Sequence, residues 1–374
     1  MGQLTDDLQA MLDDSVDKFL HDNYDFRTRQ RLASTDTGYS AEHWEQFAEL
    51  GWLGIPFTED HGGLGGDVTD TLGLMHRFGQ SLVLEPYLAV VGLAGSTIAA
   101  CGNSAERDAL LPRIIDGSAM PALAWEEDHS RGNPAFVQLT ASENGSDWRL
   151  NGEKITVLAG PKATHMVVSA RISGDSADAE GIDLFLVPAG AAGMRQTGFA
   201  TIDGHRATRI RFDGVTANQP LTVGGTGLTP LRRALEQATL MLSAEGVGAM
   251  EALMQRTVTH TLTRRQFGTP IATFQALQHR MADMYIALTQ ANNLVSHCAS
   301  EWLTDGDNSR SAALLKAQLC RSGRYVGQQA IQLHGGMGMT DELDVGHYFK
   351  RLTAMERLFA EEATHLRRIW ETGA

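Results

Sequence analysis

Cysteine is scarce in this 374-residue chain: Cys101, Cys298 and Cys320 stand far apart, odd in number and without a C-x-x-C pair. Isolated thiols build no disulfide framework and offer no zinc-ligand spacing, so the pattern suits a reducing cytoplasm. Long hydrophobic runs are missing as well, and no window reaches the roughly 18 apolar residues of a membrane-spanning helix. The amino-terminal text MGQLTDDLQAMLDDSVDKFL is acidic and amphipathic, unlike the basic region and apolar run of a secretory signal. Positive charge is in deficit, with 31 Lys+Arg against 45 Asp+Glu and a formal net charge of −14. Such a field disfavours nucleic acid and anionic lipid as partners, although a local Arg or a helix N-terminus still binds the phosphates of a small ligand. No internal repeat is visible, and no G-x-G-x-x-G follows a strand, which disfavours a Rossmann dehydrogenase.

What is present is an ordinary globular balance, 43% hydrophobic and 20% charged, over a length that favours two or three domains. From Leu4 to about Gly117 apolar residues recur at helical spacing, as in LQAMLDDSVDKFL, AEHWEQFAELGWL and VTDTLGLMHRFGQSL. The glycine-dense run Thr58-Glu-Asp-His-Gly-Gly-Leu-Gly-Gly66 interrupts them. With no clear strand before it, this run is expected to be a structural turn rather than a phosphate cradle. Between about Ala119 and Val223 the period becomes alternation, in FVQLTAS, WRLNGEKITVLAG, HMVVSARI, IDLFLVPA and ATRIRFDGV, which predicts a compact β domain. Helical period returns near Leu228, with segments at roughly 228–265, 273–304 and 308–334 and a fourth after Asp344. The expected architecture is therefore α+β, mostly α: a helical domain over 1–118, a middle β domain over 119–227 and a four-helix bundle over 228–374.

Two blocks carry a resemblance. Arg264-Arg-Gln-Phe-Gly-Thr-Pro-Ile271, continuing Ala-Thr-Phe-Gln275-Ala-Leu-Gln-His-Arg-Met-Ala-Asp-Met284, resembles the carboxy-terminal signature of the acyl-CoA dehydrogenases. Gln328-Gln-Ala-Ile-Gln332-Leu-His-Gly335-Gly336-Met-Gly338-Met is similar to that family's glutamine- and glycine-rich turn. GWLGIPFTEDHGGLGG, LLPRIIDGSAMPALAW and NGEKITVLAG fall where the family has comparable text, so the likeness spans nearly the whole chain. AEGVGAMEAL, RSGRYVGQQAIQLHGG and VGHYFKRLTAMERLF look like the small subunit of a two-subunit member.

The resemblance implies the family fold and FAD-dependent α,β-dehydrogenation of an acyl-CoA thioester, with a proton leaving Cα for a carboxylate base and a hydride leaving Cβ for flavin N5. It also implies an FAD extended across a subunit interface, within either a homotetramer or an α2β2 assembly with a homologous subunit, and electron-transfer flavoprotein as acceptor. Arg264 matches the family arginine, whose paired donors suit a pyrophosphate, with Gln266 and Phe267 beside it. Gln275 and Gln332 match glutamines of the adenosine part, and Gly335 and Gly336 let backbone approach the cofactor, a role that competes with plain helix capping. His279 and His334 lack partners at metal-ligand spacing and are expected to pack.

Departures from the family text concern the chemistry itself. Where many members begin Glu-Gly-Thr with the catalytic base, register places Ala360, followed by Glu361 and Glu362. Where others carry the base on the first bundle helix, register places Ala238, with Glu236 nearby and Glu245 two turns, about 11 Å, beyond. Glu245 and Glu361 are the base candidates, each with a plain alternative as a structural or solvated carboxylate. In the β domain Trp125-Glu126-Glu127-Asp128-His129-Ser130 stands for Thr-Glu-Pro-Gly-Ala-Gly, and Val157-Leu158-Ala159-Gly160 for Ile-Thr-Asn-Gly, so hydroxyl partners of a flavin ring are missing. A partner subunit supplying base and ring contacts explains both departures. A non-catalytic subunit, or a flavin oxidase on the same scaffold, are the competing readings.

Overall fold

A computed structural model describes residues 4–102, 104–303 and 306–371. Helices α1 (Asp6–Asn23), α2 (Phe26–Ala33), α3 (Ala41–Glu49) and α4 (Leu72–Ser81) come first, then a π-helix over Leu88–Gly95 that runs into α5 (Ser96–Ala100), and α6 (Ser104–Ile115). Local chemistry sets several of these boundaries. Ser40 Oγ accepts the His43 amide at 3.2 Å and caps α3. In the glycine-dense run, a side chain at Gly63 would meet the Phe57 carbonyl oxygen at 2.2 Å, so that glycine serves close backbone packing.

Seven strands follow: β1 (Pro121–Ala124), β2 (Thr140–Asn144), β3 (Asp147–Leu158), β4 (His165–Arg171), β5 (Ile182–Pro188), β6 (Met194–Ala200) and β7 (Arg206–Ala217). They form one mixed sheet of order β1-β4-β2-β3-β7-β6, with β5 antiparallel to β4 and β1 parallel to it. Long strands β3 and β7 pair antiparallel with register shifts at Leu150/Asn151 and between Lys154 and Val157. Leu139, Leu150, Val157, Met166, Phe185, Ile210 and Phe212 fill the sheet's core. Two strands were not legible beforehand. β1 is a four-residue Pro-Ala-Leu-Ala segment, and β6 is exposed along nearly its whole length, so neither shows the alternation of a half-buried strand.

The helical remainder is α7 (Leu228–Thr263), a two-strand hairpin of β8 (Arg265–Gln266) and β9 (Thr269–Pro270), α8 (Gln275–Ser300), α9 (Ser309–His334), α10 (Asp344–Arg357) and α11 (Glu362–Glu371). α9 buries Ala312, Leu315, Leu319, Val326, Ala330 and Leu333, a stripe at three- and four-residue spacing that meets α8, α10 and α11. The chain divides into two compact units. One holds Leu32–Asp70 and Leu84–Ala238 with the chain up to Gln9, and the other holds Ala10–Arg31, Thr71–Val83 and Thr239 onward. Among the described residues no helix is long and apolar enough to cross a membrane, and no group of His, Cys, Asp and Glu is arranged to hold a metal ion.

Candidate functional site

The helical unit brings the two sequence blocks together. α7 ends at Thr263 and the chain reverses through a two-residue turn, Phe267-Gly268, with φ of 53° and 83°. Both positions are left-handed, the geometry of the turn that matches the twist of a short hairpin. The Ile271 amide donates to the Arg264 carbonyl at 2.8 Å and closes the loop. Arg264, Gln266 and Gln275 are exposed, and Phe267 at the tip is 93% exposed, its ring set edge-on to that of Phe274. A phenylalanine held left-handed costs on the order of 1 kcal/mol and here also leaves its apolar ring in water.

α9 ends in the second block. Gly335 has φ 60° and ψ −140°, a region in which a side chain is strained, and open space surrounds both Gly335 and Gly336. Gln332 is exposed beside them. The imidazoles of His260, on α7, and His334, on α9, stack with centroids 4.2 Å apart and 28° between planes, which fastens the two blocks to each other. His334 Nδ1 lies 2.8 Å from the Ala330 carbonyl, as a packed histidine should, and His279 is exposed on α8. Burial pulls the titration of both stacked rings below the usual histidine value, and His334 and Arg264 add to that for His260.

Neither base candidate has the surroundings of a free proton acceptor. Glu245 is 4% exposed and makes a bidentate ion pair with Arg351, Oε1 accepting from Nε and Oε2 from Nη2, both at 2.8 Å. Both carboxylate oxygens are thereby occupied by a guanidinium, which leaves neither free to approach a substrate proton. Glu361 is exposed and pairs with Arg357, four residues earlier at the end of α10. Ala360 and Ala238 are buried alanines, and Glu236 is buried near the start of α7.

Sequence reasoning missed what holds the Ala360 region. Phe359 and Ala360 have φ of 57° and 84°, and the fully buried Lys316 donates from Nζ to the Glu356 carbonyl at 3.1 Å and the Ala360 carbonyl at 3.0 Å. Burial drives the Lys316 ammonium below the ordinary lysine range, with Cys320 Sγ at 3.3 Å pulling the other way. His365 Nε2 reaches the Phe359 carbonyl at 2.8 Å, and burial lowers its titration to about 4. Only an apolar spacing pattern was visible around Lys316 in the sequence, with nothing to show that its ammonium points inward.

The β domain also buries a charged network beside the Trp125–Ser130 loop. Lys154 is fully buried and donates to Glu127 Oε1 at 2.7 Å, Ser169 Oγ at 2.9 Å and the Trp125 carbonyl at 3.2 Å, while Glu127 accepts the Gln138 and Leu139 amides at 2.7 and 3.1 Å. Burial pulls the Lys154 value down against the attraction of Glu127. Next to this satisfied network, Glu126 hydrogen-bonds the Thr156 side chain, and desolvation pushes its carboxyl up to about 7. Leu158 and Ala159 are half-buried on the same β3 end, Ala159 with φ 57°, and His129 and Arg131 are also left-handed.

The acyl-CoA dehydrogenase N-terminal domain matches residues 6–118, the middle domain 122–215 and the C-terminal domain 225–371. The chain belongs to the acyl-CoA dehydrogenase family, oxidoreductases that act on acyl-CoA with FAD. It is 28% identical to the mitochondrial isovaleryl-CoA dehydrogenase of Arabidopsis thaliana, over 93% of this chain and 86% of that protein. Among solved structures it is similar to a Tcur3481–Tcur3483 steroid ACAD variant, at 27% identity, TM-score 0.87, and 98% and 97% of the two chains. It is also similar to the ChsE4–ChsE5 complex of Mycobacterium tuberculosis, at 25% identity, TM-score 0.88, and 99% and 98% coverage.

Proposed function

We propose that this chain is one subunit of a heteromeric, FAD-dependent acyl-CoA dehydrogenase, presenting Arg264, Gln266, Phe267, Gln275, Gln332, Gly335 and Gly336 to a cofactor shared with a homologous subunit. The observation that carries this reading is the exposed hairpin tip, strained at Phe267 and tied by its histidine contact to the equally exposed Gly335 turn. These donors and bare backbone suit a pyrophosphate and adenosine, whereas Trp125 and Leu158, standing where the family text has threonines, leave the ring half of a flavin without hydroxyl partners. When bound, FAD supplies the acceptor for the hydride that leaves Cβ of the thioester. The residues of this chain bind and orient it.

The Cα proton needs a carboxylate, and Glu245, locked by Arg351, and Glu361, paired in solvent, are poor choices. The partner subunit is therefore the better source of the base. The blocks that look like the small subunit of pimeloyl-CoA dehydrogenase, and the two-protein names of the steroid ACAD and ChsE4–ChsE5 structures, support an α2β2 assembly. Electron-transfer flavoprotein is the expected acceptor. A second reading, a subunit that completes the partner's FAD site without chemistry of its own, is favoured by the buried alanines at 238 and 360.

The test is the absorption spectrum and mass of the chain purified alone and with a co-expressed homologous subunit. Flavin that appears only with the partner supports the shared site. Stoichiometric FAD in the lone homo-oligomer sinks it and returns the search for the base to this chain.

A further inference from the structure

The two exposed blocks belong to different helices, and the His260–His334 stack joins them. The His260 carbonyl accepts the Arg264 amide at 2.8 Å, so this ring sits one turn before the guanidinium. His334 immediately precedes Gly335, and its bond to the Ala330 carbonyl places the proton on Nδ1. Loss of the stack therefore removes a contact that joins the two blocks. The charged groups facing the pair are Arg264 on the side of His260 and Asp344, itself held by Arg256, on the side of His334.

We propose that the stacked His260–His334 pair is a positioning element for the dinucleotide, holding the Arg264 turn and the Gly335 turn in register, and that acid opens it. This rests on the reading of those turns as cofactor contacts. Two neutral rings stack without electrostatic penalty. A proton on His260 sets a second cation beside Arg264, and burial resists charge on either ring. The sign follows from the lowered titration of both rings. An opened ring takes a proton more readily than a stacked one, so the pair is intact above the ordinary histidine value of about 6.5 and is lost as the pH falls below it. A purely electrostatic role would do the reverse, since added positive charge would tighten the hold on a pyrophosphate.

The experiment follows FAD release, as the rise of free-flavin fluorescence, from the assembly in which this chain holds it, between about pH 5 and 8. Wild-type release should be level above about pH 7 and accelerate below about pH 6. His260→Phe keeps a ring in the stack but cannot take the proton, so it should match wild type at neutral pH and lose much of the acid limb. His260→Ala should release about fivefold faster at neutral pH, the worth of one aromatic pair. If His260→Ala fails to fold, the Phe variant still carries the test through its pH profile. An unchanged acid limb in His260→Phe, slower release in acid by wild type, or neutral-pH release by His260→Ala equal to wild type overturns the proposal. Arg264→Ala separates the two levels. If it holds FAD as tightly as wild type, the cofactor reading itself fails; if it loses FAD while both His260 variants behave as wild type, only the role of the pair fails.

Discussion

Replacing Glu245 by Gln separates a structural carboxylate from a catalytic one. The side chain keeps its shape but loses its charge, and the Arg351 guanidinium, 5% exposed, is left in the interior facing an amide that offers it one acceptor instead of two. Removing one partner of a buried pair costs about 3–5 kcal/mol, because the remaining charge loses its counter-ion. At about 2–4 °C per kcal/mol for a unit of this size, the melting temperature should fall by about 6–20 °C. Replacing both residues, Glu245→Leu with Arg351→Met, should recover most of that loss, since an apolar pair of similar volume carries no stranded charge. The assay is thermal unfolding of the assembled protein alongside its turnover per bound flavin. If Glu245→Gln leaves the melting temperature unchanged but lowers turnover by orders of magnitude, Glu245 is the base and the reasoning from its ion pair is wrong.

The remaining expectations are more local. Ala360→Gly should stabilise the chain by about 0.5–1 kcal/mol, because φ of 84° strains a Cβ by more than the extra backbone entropy of glycine costs; a lower melting temperature in this variant would contradict that. Glu126 has a folded value raised to about 7, so its contribution is present in acid and is lost as the pH rises from the ordinary glutamate value of about 4.3 towards 7. Glu126→Gln should therefore raise the melting temperature at pH 8 more than at pH 5, and an equal change at both would refute the shift. Arg264→Ala should weaken FAD retention by about tenfold to a hundredfold, the worth of a charge-assisted hydrogen bond, with flavin content after gel filtration as the measure.

Much of this protein was legible in one dimension because periodicity and turn chemistry act locally. The long helices α7, α8, α9 and α10 stand close to where the apolar spacing put them, and WRLNGEKITVL and HMVVSAR do form strands, although HMVVSAR is buried along nearly its whole length instead of alternating. The Arg264 and Gln332 blocks were recognisable as text, for the same reason that their turn depends on a Phe-Gly pair and their helix end on glycine. Tertiary structure alone decided the rest. A glutamate reads identically whether its partner is water or a guanidinium 106 residues away, so only packing showed that Glu245 is locked by Arg351 while Glu361 stands in solvent. The inward ammonium groups of Lys154 and Lys316, the raised carboxyl of Glu126 and the stack of His260 on His334 are likewise contacts between distant segments. Their energies come from desolvation and from neighbours brought together by folding, quantities that no stretch of sequence carries by itself.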